Sequence, residues 1–222
     1  MKILVLLGHP QSGSFNHSLA ETVVATLEKD GHEVVFHDLQ AEGFDPVLTA
    51  AEIPTDGPLE PGIARHCEEL AAAEGIVVVH PNWWGQPPAI LKGWIDRVVR
   101  PEVAYRFLEG DSGEGVPEGL LRAKTAVVLN TSNTEASREL AAFGDPLEGL
   151  WARCIFGFCG VEDVRRRNFG VIVTSTDAER AAWLDEAAEI VRVLSPASRT
   201  TPRHDEGRHK AGLRPPPKAE GF

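Results

Sequence analysis

The sequence predicts an α/β protein in which a doubly wound parallel sheet carries helices on both faces, and three observations support this. Two short runs, Lys2 to Leu7 and Gly75 to His80, are aliphatic without polar alternation, the pattern of strands buried on both faces of a parallel sheet. Between and after them, strand-like and helix-like segments alternate, which requires crossover connections and places ligands at the carboxyl ends of the strands. With 222 residues, 42% of them hydrophobic, the chain can bury a substantial core as one domain plus appendages.

Each element has its own signal. Lys2 to Leu7 is the first central strand, ending at Gly8. Ser18 to Asp30 places Leu19, Val23 and Leu27 four residues apart and stops at Gly31, an amphipathic helix with a glycine stop. Glu33 to Leu39 is a second strand, followed by a connection rich in proline (Pro46, Pro54, Pro58, Pro61). Gly62 to Glu74 is predicted helical and Gly75 to His80 a third strand. Ile90, Leu91, Trp94, Ile95 and Val98 form a helical stripe over 89–99, and Thr125 to Leu129 is a β-branched strand. Helices are expected over 145–158 and 177–194, with Phe169 to Thr174 as the last strand between them. From Ser195 onward the pattern gives way to Pro, Arg, His and Gly, with six Lys or Arg against three acids, so 1–194 is read as the domain and 195–222 as a flexible tail.

Composition excludes some functions. A formal net charge of -11 disfavours sequence-independent nucleic-acid binding, which needs a basic face, and favours a small-molecule ligand. The amino terminus lacks the basic start and cleavage site of a secretory signal, and no apolar run reaches membrane-spanning length. Three cysteines, Cys67, Cys154 and Cys159, suit reduced thiols in packing roles better than a disulfide framework, so the expected compartment is the cytoplasm. His66 beside Cys67, and the Cys154–Cys159 pair, lack the ligand count of a zinc site, and no metal is expected. Arg165, Arg166 and Arg167 could attract a cofactor phosphate, but a solvated turn is the simpler expectation.

The topology directs attention to loops 8–17, 80–88 and 130–145. The first, from Gly8 to Asn16, joins strand to helix with small and hydroxyl residues beside free amides, which is an anion site. It has neither the G-x-G-x-x-G spacing nor the Gly-Lys-Ser/Thr ending of nucleotide loops, and no Gly-x-Ser-x-Gly elbow makes Ser12 or Ser14 a hydrolase nucleophile. In the second loop, Trp83 and Trp84 leave a buried strand among rigid prolines. One indole is expected to pack inward and the other to line a flat slot for an aromatic ring system.

At this point the residues resemble a known family. Pro81-Asn82-Trp83-Trp84-Gly85 followed by Pro88-Ala89-Ile90-Leu91-Lys92-Gly93-Trp94-Ile95-Asp96-Arg97-Val98 is similar to the NAD(P)H:quinone oxidoreductase family, as are His9, Ser14-Phe15-Asn16, Asp38-Leu39 and Phe44-Asp45-Pro46. The resemblance runs from about Lys2 to Leu194. It implies a flavodoxin-like five-stranded sheet, a homodimer, and a flavin at the strand ends, FAD with FMN as the alternative. NAD(P)H would be the co-substrate in a two-electron ping-pong reduction of quinones. Carried over by position, His9, Ser14, Phe15 and Asn16 would hold the phosphate side. Pro81, Asn82, Trp83, Trp84 and Gly85 would wrap the isoalloxazine, and Thr131, Ser132, Asn133 and Thr134 form the third flavin loop. The Tyr and His proton-relay pair of the family is replaced here by Glu139 and Phe143, which leaves no side chain assigned as catalytic. The alternative reading is a non-catalytic flavoprotein, an electron carrier or an ancillary regulatory subunit of a potassium efflux system. Tyr105, Phe107 and Phe143 supply apolar surface near the slot in keeping with a dimer.

Overall fold

The computed structural model describes residues 1–108, 115 and 117–194. The tail predicted over 195–222 lies outside the described residues. The elements, in chain order, are β1 (Lys2–Leu7), α1 (Phe15–Lys29), β2 (Glu33–Asp38), α2 (Pro61–Ala72), β3 (Gly75–Pro81), α3 (Ala89–Val98), β4 (Tyr105–Arg106), β5 (Glu118–Gly119), β6 (Thr125–Ser132), α4 (Ala136–Phe143), the single turn α5 (Pro146–Glu148), β7 (Asp163–Gly170) and α6 (Asp177–Val191).

Five strands form one parallel sheet in the order β2-β1-β3-β6-β7, while β4 and β5 make a small antiparallel ribbon. Because β2 lies on one side of β1 and β3 on the other, the winding direction reverses between β1 and β3, which opens a crevice beyond their carboxyl ends. Alternate side chains of β1 show why its run is aliphatic throughout. Ile3, Val5 and Leu7 pack with Leu19, Val23 and Leu27 of α1 and with α6, whereas Leu4 and Leu6 pack with Ile63 and Leu70 of α2 and Leu91 and Val98 of α3. Burial on both faces leaves no position for a polar residue.

The proline-rich connection is fastened by α3. Arg97, 1% exposed, donates to Glu52 at 2.7 Å and to the Asp45 carbonyl at 2.6 Å, and Arg100 donates to the carbonyls of Glu52 and Pro54. Burial works to raise the Glu52 pKa, but the bonds from Arg97 and Thr49 outweigh it and hold the carboxyl below its ordinary value. Gly93 lets this loop lie against the helix, since a Cβ there would meet the Pro46 carbonyl oxygen at 2.2 Å.

Several sequence expectations are corrected here. The last strand is Asp163–Gly170, not 169–174, and Arg165, Arg166 and Arg167 lie within it rather than in a turn. An edge strand tolerates charge because its side chains reach solvent or helix termini. Arg167 pairs with Glu186 and lies over the Phe169 ring, while Arg166 pairs with Asp145 and Glu148. The helix expected over 145–158 is broken. After the α5 turn, Gly149–Ile155 winds with wider i→i+5 bonds, such as Phe156 N to the Trp151 carbonyl, and this turn presents the Trp151 indole to the sheet. Helix α1 begins at Phe15, earlier than the apolar stripe implied. Of the thiols, Cys67 and Cys159 are buried as expected and burial pushes them up to about 11 and about 12, but Cys154 is exposed.

Candidate functional site

A cleft of about 760 Å³ opens at the carboxyl end of the sheet, at the β1/β3 reversal. All the residues singled out in the three loops line it, from His9 and Ser14 on one side to Thr134 on the other. The local reasons differ from loop to loop.

In the first loop, Ser14 stands at the N-cap of α1, yet its side chain makes no cap bond and turns to His17 instead, Oγ to Nδ1 at 2.8 Å. His17 Nε2 in turn lies 3.1 Å from Asp38 Oδ2. No side chain caps the first turn of α1, whose Phe15 and Asn16 line the cleft and where the positive end of the helix dipole lies. His9 Nδ1 accepts from Gln11 N at 3.1 Å, and burial lowers the His9 pKa. Asn16 is only 3% exposed and is braced across the cleft floor, its Nδ2 donating to Thr131 Oγ1 at 2.9 Å. It therefore ties the first loop to the third as well as facing the cleft.

The second loop departs from expectation. Trp83 and Gln86 exchange two backbone bonds, each of 3.0 Å, and the two residues between them have positive φ, Trp84 at 59° and Gly85 at 71°. This is a tight two-residue hairpin of the type that needs left-handed backbone at both central positions. It throws both indoles outward: Trp83 is 45% exposed and Trp84 wholly exposed, so neither packs into the core. Trp83 leans toward His9, with ring centroids 6.1 Å apart. A tryptophan in left-handed backbone is strained, and such strain concentrates at ligand sites and interfaces.

The third loop continues β6. Thr131 and Ser132 are buried strand residues, Ser132 Oγ accepts from Thr134 N, and Asn133 Oδ1 accepts from Val173 N. Beyond it, Glu139 and Phe143 do reach the cleft. Glu139 is 6% exposed and Oε1 accepts from Asn82 Nδ2 at 3.0 Å; Asn82 Oδ1 accepts from Gly85 N at 3.0 Å. The carboxylate thus steadies the tryptophan hairpin through Asn82. None of Arg165, Arg166 and Arg167 lines the cleft.

Sequence reasoning missed Gln11, Pro146 and Ile172 in the lining, and the support under the second loop. Pro146 closes on the hairpin where a Cβ at Gly85 would meet its Cγ at 3.0 Å. Below the floor, His80 is fully buried: Nδ1 is bonded to the Pro81 carbonyl at 2.8 Å, and Nε2 accepts from Trp151 Nε1 at 3.0 Å and Asn130 Nδ2 at 2.7 Å. Two donors on Nε2 leave the proton on Nδ1, and desolvation lowers the His80 pKa to about 4. Away from the cleft, His37, Glu42 and His66 cluster on the α2 face, but Trp94 Nε1 donates to His66 Nδ1. That leaves the neutral His66 ring a proton, not a lone pair, toward Glu42.

The cleft suits a flat, anionic aromatic ligand. It pairs a helix N-terminus and hydroxyls at one end with an aromatic hairpin at the other, and its size is that of ordinary cofactor sites.

Comparison with known proteins places this geometry. Residues 1–192 match the Flavodoxin_2 family, described as having a flavodoxin-like fold. The chain is 31% identical, over 85% of its own length and 93% of the relative's, to an NAD(P)H oxidoreductase of Haemophilus influenzae named as uncharacterized. It is 32% identical to the FMN-dependent NADH:quinone oxidoreductase of Rhizobium meliloti, over 74% of this chain and 82% of that one. Among solved structures, the NAD(P)H:quinone oxidoreductase of Methanothermobacter marburgensis superposes with a TM-score of 0.75 at 26% identity, covering 87% of this chain and 96% of that one. The doubly wound sheet, the ligand cleft at its reversal point and these likenesses together establish that the chain belongs to the flavodoxin-like NAD(P)H:quinone oxidoreductase family.

Proposed function

We propose that the protein is an NAD(P)H-dependent flavin oxidoreductase that reduces quinones or similar acceptors in two-electron, ping-pong fashion. The observation that carries this reading is the cleft at the β1/β3 reversal, with Ser14 and the start of α1 at one end and Trp83 and Trp84 walling the other. A bound flavin would supply the hydride acceptor and donor. We take FMN as the working cofactor, since one relative is named for it, with FAD as the alternative.

The protein's own groups do the placing. The α1 amides and Ser14 would hold the phosphate, and the Asn16–Thr131 bond keeps the first and third loops at a fixed separation. The Asn82 to Gly85 turn, strapped to Glu139, shapes the end that receives the ring system. Donor and acceptor would use the same exposed face in turn, which is the structural basis of ping-pong exchange, and placement of reacting carbons accounts for several kcal/mol of such catalysis. Glu139 accepts a hydrogen bond from an amide and is placed as a brace rather than a proton relay.

Homodimerisation is part of the proposal. It is supported by exposed apolar side chains: Trp84 and Phe143 line the cleft, and Leu140 is exposed on the same helix as Phe143. Among the described residues no helix is long and apolar enough to cross a membrane.

The test is direct. Apo-protein mixed with FMN is separated from free flavin, and its absorbance is followed under nitrogen as NADH or NADPH and then a benzoquinone are added. Bleaching followed by recolouring is expected. Protein that retains neither FMN nor FAD would overturn the reading, and bleaching without reoxidation by any quinone would favour an electron carrier or regulatory flavoprotein.

A further inference from the structure

We propose that His17 and Asp38 form a positioning pair that turns the Ser14 hydroxyl toward the cofactor phosphate, so that phosphate binding is coupled to proton uptake on His17. The inference rests on the flavin reading of the cleft and adds a function for two residues that do not line it.

Three side chains, two from the start of α1 and one from the end of β2, stand in a row. Ser14, at the cleft wall, places Oγ 2.8 Å from His17 Nδ1, and His17 Nε2 is 3.1 Å from Asp38 Oδ2 at the end of β2. Asp38 is itself fixed, because Oδ1 accepts from the amides of Gln40 and Ala41 at 3.1 Å each. The His17 and Asp38 side chains are only 12% and 19% exposed, so the pair is sheltered.

The proton count gives the consequence. In a neutral His17 ring whose Nε2 proton goes to Asp38, Nδ1 is an acceptor and the single Ser14 proton must point at it. Ser14 then shows only lone pairs to the cleft, which repel a phosphate oxygen. In the protonated ring both nitrogens donate: Nδ1–H is given to Ser14 Oγ, Nε2–H to Asp38, and the Ser14 proton is free to be donated to phosphate. The added proton comes from solvent and its charge is met by Asp38. It is this switch of donor direction, not proximity alone, that makes His17 a positioning residue. That Ser14 declines the ordinary N-cap bond fits the role, since its hydroxyl is kept for the row.

The charged and titratable groups around His17 are few. Asp38 faces it from β2, and His9 faces it from the β1–α1 loop with ring centroids 6.1 Å apart. Glu21 lies one turn further along α1. Burial lowers the His9 pKa.

FMN binding to the apo-protein, followed by flavin fluorescence from pH 6 to 8.5 for wild type and His17→Gln, tests this without reference to turnover. The FMN phosphate itself titrates near pH 6, so the ratio of the two dissociation constants is the readout. Wild-type affinity should fall with pH more steeply than that of the variant, by up to tenfold per unit, while riboflavin, which lacks the phosphate, shows no such difference. A ratio independent of pH overturns the coupling while leaving the flavin site intact. FMN bound no tighter than riboflavin overturns the phosphate assignment itself. Should His17→Gln fail to fold, calorimetry of wild type with FAD in buffers of different ionisation enthalpy decides: proton uptake is expected, and none between pH 6 and 8.5 overturns the inference.

Discussion

Acidification should destabilise this protein through His80 before any carboxylate network is titrated. The ring is fully buried beneath the cleft floor, accepts two hydrogen bonds on Nε2 and uses Nδ1 on the Pro81 carbonyl, so a second proton would meet only other donors. Desolvation is the main cause of a pKa lowered from 6.5 to about 4, with Arg166 acting in the same direction. A histidine whose folded pKa lies below its unfolded value binds more protons unfolded than folded. Its stabilising contribution is intact above pH 6.5 and is lost as pH falls toward 4. At 1.36 kcal/mol per unit, linkage gives a loss of about 2 kcal/mol by pH 5 and about 3 kcal/mol by pH 4. The perturbation is His80→Gln, which removes the titration but keeps groups able to bond Trp151 and Asn130, at a pH-independent cost of about 1–3 kcal/mol. Urea unfolding of the apo-protein at half-unit steps from pH 7 to 4, monitored by tryptophan fluorescence, measures both curves. His66, also lowered to about 4 by burial and by His37, and Glu52 are present in both proteins and cancel in the difference. The gap between the two stabilities should close by about 2 kcal/mol between pH 6.5 and 5. Parallel curves would refute the argument, because they would mean that the buried ring takes up its proton as readily as an unfolded one.

Three further outcomes follow from the site. Asn16→Ala should lower apo-protein stability by about 1–2 kcal/mol, since it strands the buried Thr131 hydroxyl, and should weaken flavin binding as well; an unchanged urea midpoint would count against the brace. Gly85→Ala should cost about 1–2 kcal/mol for placing a side chain at a φ of 71° and should distort the hairpin against Pro146, read as lower stability together with weaker FMN binding. Glu139→Gln should leave anaerobic flavin bleaching by NADPH within about threefold of wild type and flat across pH 6–8, because an amide oxygen can accept from Asn82 as the carboxylate does, whereas Glu139→Ala should loosen flavin retention. A large rate loss in Glu139→Gln would make it a proton donor after all.

Much of the fold was legible because its central strands have no freedom. β1 and β3 are buried on both faces, so their aliphatic runs are continuous and can be read without context. β7 was misplaced for the opposite reason. At a sheet edge its Arg166 and Arg167 are accommodated by Asp145, Glu148 and Glu186, partners about twenty residues away on other elements, while Arg165 pairs with Asp163 of the same strand. The wide-wound turn from Gly149 is likewise tertiary in origin, its Trp151 serving His80 across 71 residues.

The site divides along the same line. The residues facing the cleft were recoverable because the loops that hold them directly follow the most readable strands, and the topology nominates those loops. The pairings that hold them in place were not, since Asn16–Thr131, Glu139–Asn82 and His17–Asp38 join segments whose separation in sequence carries no signal. Trp84 shows where the difference matters. Local reasoning treats two adjacent indoles as competing for one core and sends one inward; the paired bonds between Trp83 and Gln86 instead impose a left-handed turn that sends both out. A wholly exposed tryptophan in left-handed backbone gains nothing from burial in the isolated chain, so the strain at Trp84 is offset by the bonds that hold the hairpin, the Trp83–Gln86 pair and the Gly85 amide given to Asn82, none of which local reasoning could supply.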